Sequence, residues 1–282
     1  MVLTLARSVL AAIAIPSALH MYYETNAPSV PEPETAEWVA RQADNRDVGR
    51  DARFELKMRL FDRQQRVRER GLTIQTMRPQ AAGGARSTVA GAGDRVLIRF
   101  TYPNDIKGTA FLVWEHPGGE DERFLYLPGL ARVRRIAGAE AQDNFVGSDF
   151  TYEDISGREV DDYTYVMVEQ TTTWTGPDGK PVPAYRIESR ARDVQARFPR
   201  VVSTVRKDNF VVVHADIYNR RDERQKIYEV RRLELVQSIW TLSEIVMTNT
   251  SAETRTDLSV SGVRYNSGLK ESDFSRRELE RK

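Results

Sequence analysis

The order of apolar and polar positions changes period along the chain, and the changes mark out the elements. In Thr35–Asp47 the residues Ala36, Val39, Ala40 and Ala43 fall on one helical stripe, with Trp38 as anchor and Thr35 placed to cap. From residue 52 the period drops to two. Phe54, Leu56, Met58 and Leu60 interleave with Arg53, Glu55, Lys57 and Arg59, which predicts a strand with one face in a core and one in water. Asp62–Gln65 reads as a turn and Arg66–Arg78 as the returning strand of a hairpin. Arg95–Tyr102 and Thr109–His116 continue the series. Thr109–Trp114 is apolar on both faces, Phe111 and Val113 on one and Leu112 and Trp114 on the other, so it should be covered on both sides. After the short strand Arg123–Leu127 the pattern breaks between Pro128 and Asp161. Within that break Ser148–Ile155 can form a turn of helix, with Thr151 and Asp154 at capping-box spacing. Alternation resumes at Tyr163 and runs on to Val260, punctuated by turns such as Pro177-Asp178-Gly179. Gly268–Leu279 reads as a terminal helix. The sum is ten or eleven antiparallel strands in succession, one N-terminal helix and an irregular middle, without an internal repeat. A meander of that length in one domain predicts a strongly curved sheet or an incomplete barrel.

The ends of this domain differ in character. Met1–Tyr23 carries the single charge Arg7, and Ser8–Leu19 is apolar. That run is shorter than the roughly 20 residues a spanning helix needs. It fits an export signal, although Pro16 leaves no clean small-x-small cleavage site; a short helix or an uncleaved anchor is the alternative. Residues 24–34 hold Pro28, Pro31 and Pro33 and read as an extended linker. The domain proper is expected over 35–270, with 271–282 as a tail or short helix. Gln80–Gly93 is rich in Ala and Gly and reads as a flexible loop.

Composition narrows the chemistry. Lys and Arg number 42 against 41 Asp and Glu, and cysteine is absent. Near-neutrality excludes a globally basic nucleic-acid binder. Without cysteine there are no disulfides, Cys-ligated metals, thiol catalysis or lipid acylation of an N-terminal cysteine. The three histidines, His20, His116 and His214, form no metal-binding pair. No nucleophile elbow, Walker loop or dinucleotide-binding glycine motif occurs. Asp149, Glu153 and Asp154 cluster near Asp161 and Asp162, but lack the spacing of a calcium loop and lie close to arginines. No catalytic residue, metal site or cofactor is therefore expected. Arg197–Arg232 holds ten basic residues against five acids. This is either a patch for anionic headgroups or a solvated sheet face held by cross-strand pairs. What remains is apolar: a curved sheet must bury one face, and the helix and the irregular segment either fill it as a core or cover a site for a hydrophobic ligand.

Gly108–Asp154 adds a resemblance. It contains G-T-A-F-L at Gly108–Leu112, Trp114 at a strand end, Y-L-P-G-L-A-R-V-R-R-I at Tyr126–Ile136, and G-S-D-F-T-Y-E-D at Gly147–Asp154. This run resembles the outer-membrane lipoprotein-sorting-like proteins, relatives of the LolA carrier found beside RND-type exporters. The layout around it fits over most of Thr35–Arg264. The resemblance implies a LolA/LolB-like fold, mainly β with a few helices: an unclosed, strongly curved antiparallel barrel with an N-terminal helix and a mid-chain lid. It also implies a periplasmic carrier that holds a lipid or a lipidated protein in a hydrophobic concavity. On this reading Phe54, Leu56, Met58, Ile98, Phe100, Phe111, Val113, Trp114, Phe124 and Tyr126 form the wall. Leu130, Val133, Ile136, Phe145, Phe150 and Tyr152 form the lid and rim. Arg132, Arg134 and Arg135 pair with Asp149, Glu153 and Asp154 as a latch. Expected partners are acyl chains of a lipid or lipoprotein, an RND-type inner-membrane exporter and a transient membrane surface, with no nucleic acid. Two other readings stay open: an accessory subunit of such an exporter acting through its surface, and, last, an enzyme on a barrel scaffold.

Overall fold

The computed structural model describes residues 34–79, 93–136 and 138–281. The expected export signal, nearly all of the proline-rich stretch and residues 80–92 of the Ala/Gly loop lie outside the described residues.

Helix α1 (Ala36–Asn45) starts where the sequence predicts, with the Thr35 hydroxyl accepting the Trp38 N–H at 3.1 Å. Six strands follow: β1 (Asp51–Phe61), β2 (Val67–Met77), β3 (Arg95–Tyr102), β4 (Ala110–Trp114), β5 (Glu122–Leu127) and β6 (Arg132–Ile136). Short 3-10 turns and helix α2 (Tyr152–Ser156) lead to a second run. It comprises β7 (Tyr163–Thr175), β8 (Pro181–Ala191), β9 (Arg200–Arg206), β10 (Val212–Tyr218), β11 (Arg224–Val236), β12 (Ile239–Asn249) and β13 (Thr254–Tyr265). A 3-10 turn, Glu271–Phe274, and helix α3 (Arg276–Leu279) close the chain.

The thirteen strands form one antiparallel sheet in the order β6-β5-β4-β3-β2-β1-β13-β12-β11-β10-β9-β8-β7. Every neighbouring pair is consecutive in sequence except β1 and β13, which join through Met58 opposite Leu258. The first and last strands thus lie in the middle of the sheet, and its two edges, β6 and β7, are linked by residues 138–162. The sheet does not close. It does curl: Val201, Ala215 and Ile217 of β9 and β10 share one buried cluster with Met58, Ile98 and Phe111 from the other half.

Alternation sets the faces as expected. In β1, Leu56, Met58 and Leu60 are buried while Glu55, Lys57 and Arg59 are exposed, opposite a returning strand that places Leu72 against Leu56. β4 is covered twice. Phe111 and Val113 face the concave cluster; Ala110 and Leu112 face Leu269, Phe274 and Leu279 of the C-terminal segment on the convex side. Two polar contacts fix that segment. Trp114 Nε1 donates to the Phe274 carbonyl at 2.7 Å, and the Arg99 guanidinium donates to the carbonyls of Leu279, at 3.2 Å, and Glu278. The latter satisfies carbonyls that a helix end leaves open.

One element departs from the expectation. Arg132–Ile136, read as part of the lid, is edge strand β6, pairing Val133 with Tyr126 and Ile136 with Arg123. Only Ile136 is buried there, so no apolar alternation announced a strand. The exposed arginines suit an edge that must not pair with another chain.

Candidate functional site

Residues 138–162 cross the open side of the curled sheet as a strap. Phe145 is fully buried, with ring centroids 5.9 Å from Phe100, 5.5 Å from Phe111 and 5.4 Å from Tyr152. Phe150 and Tyr152 are buried beside it. The strap's own turn is closed by the Phe145 N–H donating to the Phe150 carbonyl at 2.7 Å and by a capping box between Thr151 and Asp154, at 2.9 Å in each direction. Val146 takes a positive φ of 44°, which turns its carbonyl toward a hydrogen bond from Arg70 of β2. On the far side Asp149 is held by three groups. Its carboxylate accepts from the hydroxyls of Thr254 at 2.5 Å and Thr256 at 2.8 Å, and its carbonyl accepts from Lys226 Nζ at 2.5 Å. The strap is therefore tied to both halves of the sheet.

Beside it lies a cavity of about 490 Å³, within the range of about 300–1,000 Å³ usual for small-molecule sites. Its wall comes from β1, β2 and β3 (Phe54, Leu56, Met58, Leu72, Ile74, Ile98) and from β11 to β13 (Tyr228, Trp240, Leu242, Ile245, Leu258, Val260), roofed by Phe145, Phe150 and Ile155. Polar groups gather at one end. Arg78 donates to Asp94 at 2.8 Å and to the Asp44 carbonyl at 2.8 Å; Arg158 pairs with Asp154 at 2.6 Å; Arg46 lines the same end. Burial pushes the Asp154 carboxyl up, but Arg158, Lys226 and the bonds from Thr151 outweigh it and hold the group below the usual carboxylate range. Burial raises Glu153, with Arg158 opposing. The arrangement is a greasy slot with one charged end, suited to binding.

A family model described as "uncharacterized protein" matches residues 92–281, more than half of the chain. A DUF1329 family protein from Desulfovibrio piger is 27% identical, with a TM-score of 0.75, and the match covers 86% of this chain and 97% of that one. A structure described as an outer-membrane lipoprotein-sorting protein domain from Vibrio parahaemolyticus is 27% identical at TM-score 0.76, covering 87% and 98%. The chain belongs to the outer-membrane lipoprotein-sorting-like family. A LolA superfamily protein from Nitrosomonas europaea, 14% identical over 87% and 100% at TM-score 0.65, shares the fold. No match is found among curated proteins.

Within this lipoprotein-sorting-like fold the ten expected wall residues divide three ways. Phe54, Leu56, Met58 and Ile98 line the cavity. Phe100, Phe111 and Val113 belong to the same buried cluster but lie beneath the strap, covered by Phe145 and Tyr152 rather than open to the slot. Trp114, Phe124 and Tyr126 are on the opposite face. Trp114 and Phe124 pack edge to face at 5.4 Å under the C-terminal segment, and Arg276 stacks on Phe124 at 4.0 Å. A strand apolar on both faces gives no sign of which face is concave, and Trp114 is drawn to the convex side, where its N–H has a partner.

The lid residues divide as well. Phe145, Phe150, Tyr152 and Ile136 are buried in the concave cluster, Val133 packs on the convex side, and Leu130 is 70% exposed at a loop tip. The latch is not as expected. Arg134 pairs with Glu140 at 3.7 Å and Arg135 with Glu120 at 3.9 Å, both at the surface; Arg132 is exposed and makes no ion pair among the described residues. Asp149 is held by threonine hydroxyls and Asp154 by Arg158. Among the described residues the arginines of the edge strand reach only Glu140, at the start of the strap, and Glu120, and not Asp149, Glu153 or Asp154.

Sequence reasoning missed the half of the wall supplied by β11 to β13, and Arg46. The wall residues were legible in principle as the inward set of β12 (Trp240, Leu242). Arg46 follows the last turn of α1 and carries no signal of its own.

Proposed function

We propose that this lipoprotein-sorting-like protein is a periplasmic carrier that takes a lipid, or the acyl chains of a lipidated protein, into the cavity beneath the strap and moves it toward the outer membrane. The observation that carries the reading is a slot of about 490 Å³ with an apolar wall from both halves of the sheet, on a fold shared with a structure described as lipoprotein-sorting. Each methylene buried there contributes about 0.8 kcal/mol, so a single chain binds without a catalytic constellation or extensive polar recognition. None of the described helices is long and apolar enough to cross a membrane, and an export signal at the N-terminus would deliver the chain to the periplasm. Native mass spectrometry of the full chain purified from membranes tests the proposal. A bound lipid at one defined stoichiometry supports it; a ligand-free protein that also takes up no added lipid overturns it.

A second reading rests on a specific observation. Phe145, Phe150 and Tyr152 already occupy the concavity beneath β3 and β4. An accessory subunit of an RND-type exporter, working by surface contact, would be filled in this way. Co-purification of an exporter that persists when the cavity is blocked by Leu258→Trp would favour it over carriage.

A further inference from the structure

Of the arginines that line the cavity, all but one are paired with an acid. Arg78 is matched by Asp94, Arg158 by Asp154, and Arg95 by the Glu115 and Gly93 carbonyls and by Glu271. Arg46 has no carboxylate within salt-bridge reach among the described residues. Its one hydrogen bond is to the Trp240 carbonyl, at 3.3 Å. The acid next to it in sequence, Asp47, is occupied by the Gly49 N–H at 2.9 Å. The C-terminal carbonyls of α1 offer only a partial negative charge, about half an elementary charge for a whole helix. Burial lowers the Arg46 pKa and Arg78 lowers it further, while Tyr228, Tyr265 and, least, the Asp47 carboxylate oppose. The neighbouring Tyr265 hydroxyl is engaged with Thr241 at 2.8 Å, whereas the Tyr228 hydroxyl, which also lines the cavity, makes no hydrogen bond among the described residues. A half-buried guanidinium with no carboxylate paired to it gains from an anion placed beside it. At the edge of an apolar slot it is a ready partner for a negatively charged group.

We propose that the ligand of this cavity is an anionic amphiphile, with its carboxylate or phosphate head held by Arg46 and assisted by the Tyr228 hydroxyl, and its acyl chain lying along Phe54, Leu56, Met58 and Leu258. The guanidinium fork suits either oxyanion, since both accept two parallel N–H bonds. This inference rests on the carrier reading and specifies its cargo: a neutral lipid would leave Arg46 uncompensated.

The test uses the full chain and three probes with the same C18 tail: oleate, oleyl phosphate and methyl oleate, measured by displacement of a fluorescent fatty acid and by native mass spectrometry. The wild-type protein should bind at least one of the two anions about ten- to a hundred-fold more tightly than the neutral ester, and the better of the two identifies the head. Arg46→Met should bring the anions down to the level of the ester measured on the same variant. Arg46→Lys should restore part of the difference, and Tyr228→Phe should cost a few-fold on the anions only. Equal binding of all three probes by the wild-type protein, or a preference that survives in Arg46→Met, overturns the anionic head while leaving the carrier standing. Failure of every probe to bind overturns both. Arg46→Lys and Tyr228→Phe, which keep the size of the side chain, give the same reading if Arg46→Met fails to fold.

Discussion

Lys226 gives the sharpest quantitative test of how the strap is held. Its side chain is 1% exposed, with Nζ 2.5 Å from the Asp149 carbonyl and 4.5 Å from the centre of the Phe198 ring. No carboxylate pairs with it directly. Burial lowers its pKa to about 8 from 10.5; Asp154 and Asp149 pull upward, Arg197 and Arg158 downward. A depression from 10.5 to about 8 corresponds to roughly 3 kcal/mol at neutral pH. In the unfolded chain the amine keeps its proton up to about pH 10.5, so between pH 8 and 10.5 the unfolded state holds the extra proton. Stability must then rise with pH in that window and be level below it. From pH 8 to 9.5 the gain is about 2 kcal/mol, at 1.36 kcal/mol per unit. Above pH 10 the buried phenols reverse the slope: burial raises Tyr163 and Tyr228 to about 12, so the unfolded chain loses those protons first. Urea unfolding of the wild-type protein at half-unit steps from pH 7 to 9.5 should show the rise, and Lys226→Met should be level across the same range. A level wild-type curve, or a slope that survives in Lys226→Met, would refute the account of Lys226 as a buried cation without a counter-charge.

Four further outcomes follow from the same contacts. Phe145→Ala should cost about 3–5 kcal/mol in urea unfolding yet increase the uptake of a fluorescent fatty acid, because the plug beneath β3 and β4 becomes part of the slot; loss of stability with no gain in uptake would mean that the two compartments are separate. Asp149→Ala leaves the hydroxyls of Thr254 and Thr256 without their carboxylate acceptor, keeps the main-chain carbonyl that Lys226 uses, and should lower stability by about 2–3 kcal/mol, with faster amide exchange confined to the strap. Trp114→Phe removes the donor to Phe274 and should cost about 1–3 kcal/mol without altering ligand affinity, which separates the convex face from the site. Reversing Arg134 and Arg135 to Glu should change stability by less than about 1 kcal/mol and leave strap exchange untouched, since their ion pairs are exposed.

The architecture was largely written in the period of the chain. Alternation located β1, β2, β3 and the long run from Tyr163, Thr35 announced α1, and the spacing of Thr151 and Asp154 announced α2. The doubly apolar Thr109–Trp114 announced that the convex face is covered. What failed to show was everything that depends on which strands meet. Alternation says that Phe124 and Leu125 point to opposite faces, but not which of those faces is concave. The charged edge β6 was invisible because an edge strand with one buried residue has no hydrophobic period. The latch was assigned by sequence neighbourhood, whereas the partners of Asp149 come from 105 and 107 residues away. Packing by distant strands is also what half-buries Arg46 away from a paired carboxylate, and no local pattern encodes that.

The strap is a consequence of the strand order. Because β1 pairs with β13, the first and last strands occupy the centre of the sheet and the middle of the chain supplies both edges. The link from β6 to β7 must therefore span the open side, and any residues it carries inward compete with a ligand for the concave face. The sequence resolves that competition unevenly. Phe145, Phe150 and Tyr152 fall early in the link and fill the space above β3 and β4. Gly157, Arg158 and Glu159 come later and reach the cavity end bordered by Arg46. One half of the concavity becomes a permanent core that holds the sheet in its curl. The other is left as a slot whose roof hangs on Asp149, at the one place where a buried lysine, two threonines and the strap meet. On the proposed carrier reading, opening for cargo would start with release of the Asp149 cluster, while Phe145 stays seated. Exchange protection at Phe145 should accordingly outlast that at Asp149 and Thr151, and the reverse order would place the hinge at the other end of the strap.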